Sequence, residues 1–303
     1  MGGFFQALAA NLAERWLTLL LIPGALFTAA FWVGVQLKFA HALNWGILKQ
    51  RADSSGAALA RQTTGTQAIL LVAVLLVAAG IGLAVQALTA VTRLTWLGQW
   101  PRIADPVNRW CVAKRRARWH QRLNQRREQE RDHPADVRTP DQQRLINAAA
   151  ERVNRIAPAE PGRPTWMGDR IHGVEQVALN RYGLDLTYVW PRLWLVLPDP
   201  TRAEITAANA AFALAVANAS WAWPYLILGA LWWPAALIGI GIGISGWVRA
   251  RSGVTDLAAL SESALDLHGR SLAIALGIVD KDSIGPLTVP EGRKLTAFSR
   301  KGR

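Results

Sequence analysis

Residues Gln67–Thr92 read QAILLVAVLLVAAGIGLAVQALTAVT, 26 positions with no Asp, Glu, Lys or Arg. The stretch is uncharged throughout and mostly apolar, so a helix built from it presents no charged face to water. About 20 apolar residues in helical form cross the hydrocarbon layer of a bilayer, and this stretch predicts one crossing. Two further uncharged windows flank it. Trp16–Leu37 has 22 positions and predicts another crossing, while Ile205–Val248 has 44 and is long enough for two. Trp223-Pro224 and Trp232-Trp233-Pro234 lie near the middle of the long window. Proline donates no helical hydrogen bond, so the chain is expected to turn there and form a hairpin.

The 303 residues are 51% hydrophobic with a formal charge of +13, and the apolar residues are gathered into those blocks. That distribution does not fit an ordinary soluble globular domain. One cysteine, Cys111, excludes a disulfide scaffold or a thiolate metal cluster. The expected fold is an all-α integral membrane protein, with four transmembrane helices and a mostly helical cytosolic insert. The chain divides into an N-terminal interfacial helix and two spans (1–92), a basic cytosolic domain (93–204), a transmembrane hairpin (205–248) and a cytosolic helix and tail (249–303). Phe4, Phe5, Leu8 and Leu12 give residues 2–13 an amphipathic side suited to the interface. Trp16, Trp96, Trp100, Trp221, Trp223 and Trp247 fall near span ends, where an amphipathic indole prefers to sit. Arg93, Arg102, Arg249 and Arg251 border the spans and place both polar parts, and both termini, on the cytosolic side of a bacterial inner membrane. Lys38, Lys49, Arg51 and Arg61 in the 38–66 loop point the other way.

Within the insert, residues 106–133 predict a helix with nine basic residues from Arg109 to Arg131, interleaved with Trp110 and Trp119. Arg109, Lys114, Arg115, Arg116, Arg118 and Arg122 are the candidates for an anionic ligand, a nucleotide or oligonucleotide, or for anionic lipid. A second helix is expected over Asp141–Ile156 with Leu145, Ile146 and Val153 as its apolar side. Pro158–Pro164 reads as a spacer or a loop pinned to the surface. Thr165 caps a helix over Trp166–Arg181 that stops at Tyr182-Gly183. Leu184, Leu186, Tyr188 and Trp190 alternate with Asp185, Thr187 and Val189, a pattern that suits a strand or extended segment.

Arg181-Tyr182-Gly183-Leu184-Asp185, Trp190-Pro191-Arg192-Leu193-Trp194 and Leu197-Pro198 resemble a group of uncharacterised bacterial multi-spanning membrane proteins, as does Leu265-Asp266-Leu267-His268-Gly269-Arg270. The match covers about a tenth of the chain. It implies the membrane architecture and a bacterial source, and it transfers no chemistry.

Candidate chemistry is sparse. Asp169, His172 and Glu175 are spaced i, i+3, i+6 and form the one metal or acid–base constellation, short of the four ligands a zinc site wants. No Walker-type loop and no Gly-x-Ser-x-Gly turn is present, so neither a cofactor nor a catalytic residue is expected. Gly239, Gly241 and Gly243 predict close helix packing. Asn209, Asn218 and Ser220 are uncharged polar groups in the third span, fit to line a pore or bond between helices. No span carries a charge, which argues against a proton-coupled transporter and suits a pore gated by apolar residues. The leading expectation is a homo-oligomeric channel or defence-type effector, surrounded by membrane lipid and gated through its basic domain by an anionic ligand. The alternatives are a non-enzymatic anchor that docks a protein partner through the cytosolic domain, and a metal-dependent membrane enzyme.

Overall fold

A computed structural model describes residues 21–301, and the described chain is helical with no strand. The interfacial segment over 2–13 and the start of the first apolar window lie outside the described residues. In order, the helices are α1 (Ile22–Leu37), α2 (Trp45–Ala60), α3 (Thr64–Trp96), α4 (Asp105–Asp132), α5 (Pro140–Asn154), α6 (Trp166–Tyr182), α7 (Leu186–Val196), α8 (Asp199–Ser220), α9 (Ala222–Gly229), α10 (Trp233–Ala275) and α11 (Val289–Arg300). They belong to two compact units, residues 1–92 with 214–249 and residues 93–213 with 250–303.

The first unit is the apolar one. α3 meets the length and composition of a membrane crossing, and so does the run Asp199–Gly229, which contains α8 and α9 and of which residues 199–213 belong to the second unit. α1 is apolar but short. In α3 only Ala78, Gly82, Val85 and Thr92 are buried, a single stripe at helical spacing. Ile69, Leu71, Leu76 and Val77 stand exposed beside them, and 17% of the most apolar window is buried. A core helix of a soluble protein buries most of its surface, whereas this one leaves bare the area a bilayer would cover. The 38–66 connection, read above as a loop, contains α2, which Asn44 caps by accepting from the Ile47 amide and which buries none of its residues.

Small residues set the packing. A Cβ on Gly24 would come within 2.2 Å of the Ala78 carbonyl oxygen, so α1 and α3 touch backbone to backbone. α9 turns at 230–232 into α10, close to the Trp232-Trp233-Pro234 position read from the sequence. The returning helix meets its partner at Gly229 and Ala236, Leu226 and Gly239, Ala222 and Gly243, and Ala219 and Gly246. The residue numbers of each pair add to one value, which defines an antiparallel hairpin in fixed register. Val85, Trp221, Tyr225, Leu228 and Ala235 close the unit's core, with Phe27 edge-on to Tyr225 at 5.2 Å.

The second unit holds the larger core: Val174, Ala178, Tyr182 and Leu184 from α6 and its end, Val189 and Leu193 from α7, Leu265 and Leu272 from α10, and Leu295 from α11. Of the run 184–190, whose alternation suits a strand or extended segment, only 184–185 lie outside a helix, and 186–190 form the start of α7. Gly183 ends α6 at φ +68, a left-handed conformation that costs glycine nothing, and the Asp185 carboxylate accepts the Thr187 amide to start the next helix. Val189, Leu193 and Leu197 are buried at four-residue spacing, while Leu186, Trp190 and Trp194 pack partly buried one step away. The helical period is therefore present beside the period of two. α11 docks through Gly292, whose hypothetical Cβ would overlap the Tyr182 carbonyl oxygen at 1.7 Å. Thr296 Oγ1 donates to the Gly183 carbonyl and accepts from the Asp185 amide.

Candidate functional site

α4 and α5 form an antiparallel pair separated by His133-Pro134 and a short 3-10 turn over Ala135–Val137. Thr139 starts α5 with a reciprocal cap: its side chain accepts from the Gln142 amide and the Gln142 side chain accepts from the Thr139 amide. Ile146, Ala149 and Val153 are its buried stripe. Burying that stripe fixes which α5 side chains remain at the edge of the groove beside α4.

The six basic candidates on α4 divide by direction. Arg115 turns inward. Its Nε donates to Asp169 Oδ2 at 2.8 Å and one guanidinium NH2 donates to the Ile156 carbonyl at 2.8 Å. Arg116 Nε donates to the Pro161 carbonyl and lies 3.3 Å from Glu160. Trp119 also faces the protein, donating from its indole to the Ala157 carbonyl. These three side chains tie α4 to the 156–161 linker; Arg115 is taken up by its buried partner, whereas Arg116 makes its contact from the surface and stays half exposed. Arg109 is exposed, and Lys114 lies 4.9 Å above the exposed Trp110 ring. Arg118 and Arg122 line a groove of about 350 Å³ together with Gln121, Arg152, Arg155 and Ile156.

Asp169, His172 and Glu175 do not converge. Asp169 is fully buried, and its second oxygen accepts from the Gly162 and Arg163 amides at 2.8 and 2.7 Å. With Arg115 on the other oxygen, its accepting positions are taken up by the protein. His172 Nδ1 and Glu175 Oε2 are 3.2 Å apart on the same helix. Among the described residues, no group of three His, Cys, Asp or Glu side chains is placed to hold a metal. The metal reading of Asp169 is therefore replaced by an anchor that pins the Pro-rich linker to α6. Gly173, against Pro158, and Gly162, against the His172 ring, let that linker lie close.

The polar residues of the third apolar window also separate. Asn209 belongs to the second unit, where it lines a groove of about 640 Å³ with Trp190, Trp194, Glu175 and Leu257. Ser220 is completely buried in the apolar unit, with the Val216 carbonyl at 2.8 Å and Thr92 Oγ1 at 3.1 Å. Thr92 in turn donates to the Leu88 carbonyl and accepts from the Trp223 indole. Ser220 is an internal link and faces no lumen within the chain. Asn218 is exposed and lines a groove of about 420 Å³ with Leu26, Gly241, Ile242, Ser245 and Arg249. A Cβ on Gly239 would lie 3.0 Å from Leu226 and one on Gly243 3.5 Å from Ala222, but one on Gly241 would meet nothing within 4 Å among the described residues. Among the described residues Gly241 thus packs against no other helix, and the tight contacts of α10 with its hairpin partner fall at Gly239 and Gly246.

Two pairs outside these groups are electrostatically distinctive. Tyr182 donates to Asp266, and its burial, with that carboxylate beside it, pushes the phenol up to about 12. Arg300 on α11 bonds Asp185 at 2.8 Å and holds that carboxyl below its ordinary value. No family model, curated protein or solved structure matches the chain.

Proposed function

We propose that the chain is a homo-oligomeric membrane channel whose second, basic unit is cytosolic and reads an anionic signal. In this reading the chain crosses a bacterial inner membrane four times, through the α1 region, α3, the α8–α9 run and the apolar start of α10. The observation that carries it is the groove holding Asn218, Gly241 and Ser245. Asn218 and Ser245 are polar and exposed within uncharged stretches. At membrane depth an exposed amide or hydroxyl is costly unless it faces protein or water. Gly241 and Ser245 lie one turn apart with no large side chain, a surface that admits a neighbouring helix. A second copy seated there would shelter these groups, and a cyclic assembly would place them along a shared axis.

The test is native mass spectrometry of the solubilised chain, paired with conductance in planar bilayers. The expected result is a defined oligomer with discrete openings, both lost in Gly241→Leu and the openings altered in Asn218→Leu. A monomer that stays silent in the bilayer would overturn the proposal. A second reading, a membrane anchor that docks a protein partner, is favoured by the apolar groove around Trp190 and Trp194. It expects no conductance and predicts that the apolar helices can be exchanged for unrelated ones.

A further inference from the structure

We propose that Arg118, Arg122, Arg152 and Arg155 form a binding site for a ligand carrying two neighbouring phosphate groups. This deepens the reading of the basic unit as an anion sensor and rests on it for its biological meaning, but its chemistry stands on the groove alone.

Arg118 and Arg122 are one turn apart on α4. Arg152 lies in the last turn of α5 and Arg155 is the residue that caps its end, and both line the groove opposite the α4 pair. The two pairs line the same groove of about 350 Å³, and no carboxylate lines it. Four guanidinium groups this close repel one another, and a bound dianion removes that cost. The structure engages them weakly. Arg118 reaches the Lys114 carbonyl at 3.4 Å, Arg122 bonds the Gln125 amide oxygen, and Arg155 lies 3.8 Å from Glu151 with both side chains largely exposed. The inward-facing Arg115, by contrast, is locked to a buried carboxylate. The acids that border the site, Glu128 and Asp132, line the adjoining groove past Arg122 and Arg152 and close that end to anions.

The lining also narrows the ligand. Guanidinium forks pair bidentately with phosphate oxygens, so four of them match two phosphates. The remaining lining residues are Gln121 and Ile156, and Trp119 is turned to the Ala157 carbonyl. No aromatic face is offered to a nucleobase, so recognition centres on the phosphates. A soluble diphosphate and the headgroup of a lipid with two phosphates supply the same chemistry.

The experiment uses the full chain in nanodiscs of neutral phosphatidylcholine, titrated with inorganic pyrophosphate by calorimetry. Orthophosphate is the single-phosphate control. A parallel arm measures capture by phosphatidylcholine vesicles with and without cardiolipin. The expected result is saturable binding in one or both arms, weakened about tenfold or more by Arg152→Gln and by Arg155→Gln, and unchanged by Arg109→Gln outside the groove. Pyrophosphate binding alone assigns a soluble ligand, and cardiolipin binding alone assigns a lipid. Absence of binding in both arms overturns the site, as does equal weakening by all three variants, which would mark general attraction to a basic surface. All the substituted side chains are exposed, so their loss leaves the buried stripe of α5 intact. Binding without conductance would refute the channel and leave this site standing. Conductance without binding would do the reverse.

Discussion

Replacing Asp169 with alanine is expected to unfasten α6 from α4 and from the linker between α5 and α6. The carboxylate is 1% exposed and its partner Arg115 is 17% exposed, so solvent screens the pair little. Asp169 accepts from Arg115 and from the amides of Gly162 and Arg163, and its removal leaves a cation and two buried N–H groups without an acceptor. Breaking a buried pair by removing one partner costs about 3–5 kcal/mol, most of it the penalty of stranding the other charge. In hydrogen exchange on the solubilised chain, that loss reads as faster opening of residues 160–175 by about two to three and a half orders of magnitude. Replacing both partners with apolar residues, Arg115→Met with Asp169→Leu, removes the stranded charge and is expected to return stability to within about 2 kcal/mol of the original. A loss below about 1 kcal/mol for Asp169→Ala would refute the anchoring argument. Tight zinc binding abolished by the same change would refute it by another route, since the buried carboxylate is already held by Arg115 and two backbone amides.

Gly246→Leu is expected to unfold the α8–α10 hairpin, because its Cβ would lie 2.5 Å from Ala219 Cβ; proteolysis in detergent would show the exposed turn. Gly292→Ala is expected to lower the thermal midpoint of the polar unit by several degrees or to release α11, since its Cβ meets the Tyr182 carbonyl oxygen and cannot move away. Tyr182 is expected to keep its proton as free tyrosine loses it, seen as late phenolate absorbance. A phenol whose folded value is raised to about 12 contributes stability that is complete below pH 10 and lost as pH rises toward 12, and Tyr182→Phe removes that alkaline dependence. Asp185, held low by Arg300, has the opposite sign: its contribution is complete above the ordinary carboxylate range and lost as pH falls through its lowered value. Arg300→Gln is therefore expected to flatten the acid limb of the melting curve.

Much of the helix layout follows from local chemistry that a sequence displays. Gln67–Thr92 is uncharged at every position and mostly apolar, so its helix is legible without tertiary information. The α6 boundaries follow from Thr165, which accepts from the Gly168 amide, and from Gly183. Leu184–Trp190 misled because aromatic residues also mark strands, and their buried stripe is completed only by Leu193 and Leu197, beyond the alternating run. The charged residues were least legible. Arg115 and Arg118 look alike on a basic helix, yet one is set against a buried carboxylate 54 positions away and the other faces solvent. Arg152 and Arg155 carry no signal until the buried stripe of α5 fixes which edge they occupy.

The glycines of α10 show why spacing must be turned into angle before it is read as a site. Each helical residue advances about 100°, so Gly239 and Gly241 stand about 200° apart and cannot serve one face. Gly239 and Gly246 are seven residues apart, about two turns, and both meet the α8–α9 partner. Gly241 and Ser245 share the opposite side, beside Asn218. One helix therefore carries two small-residue faces, and folding of a single chain uses the first. Among the described residues the second has no such contact: a Cβ on Gly241 would meet no atom within 4 Å. If the second face serves assembly, a bulky residue there leaves the hairpin intact and removes the oligomer. The two properties are thereby separable on one helix, at positions 241 and 246.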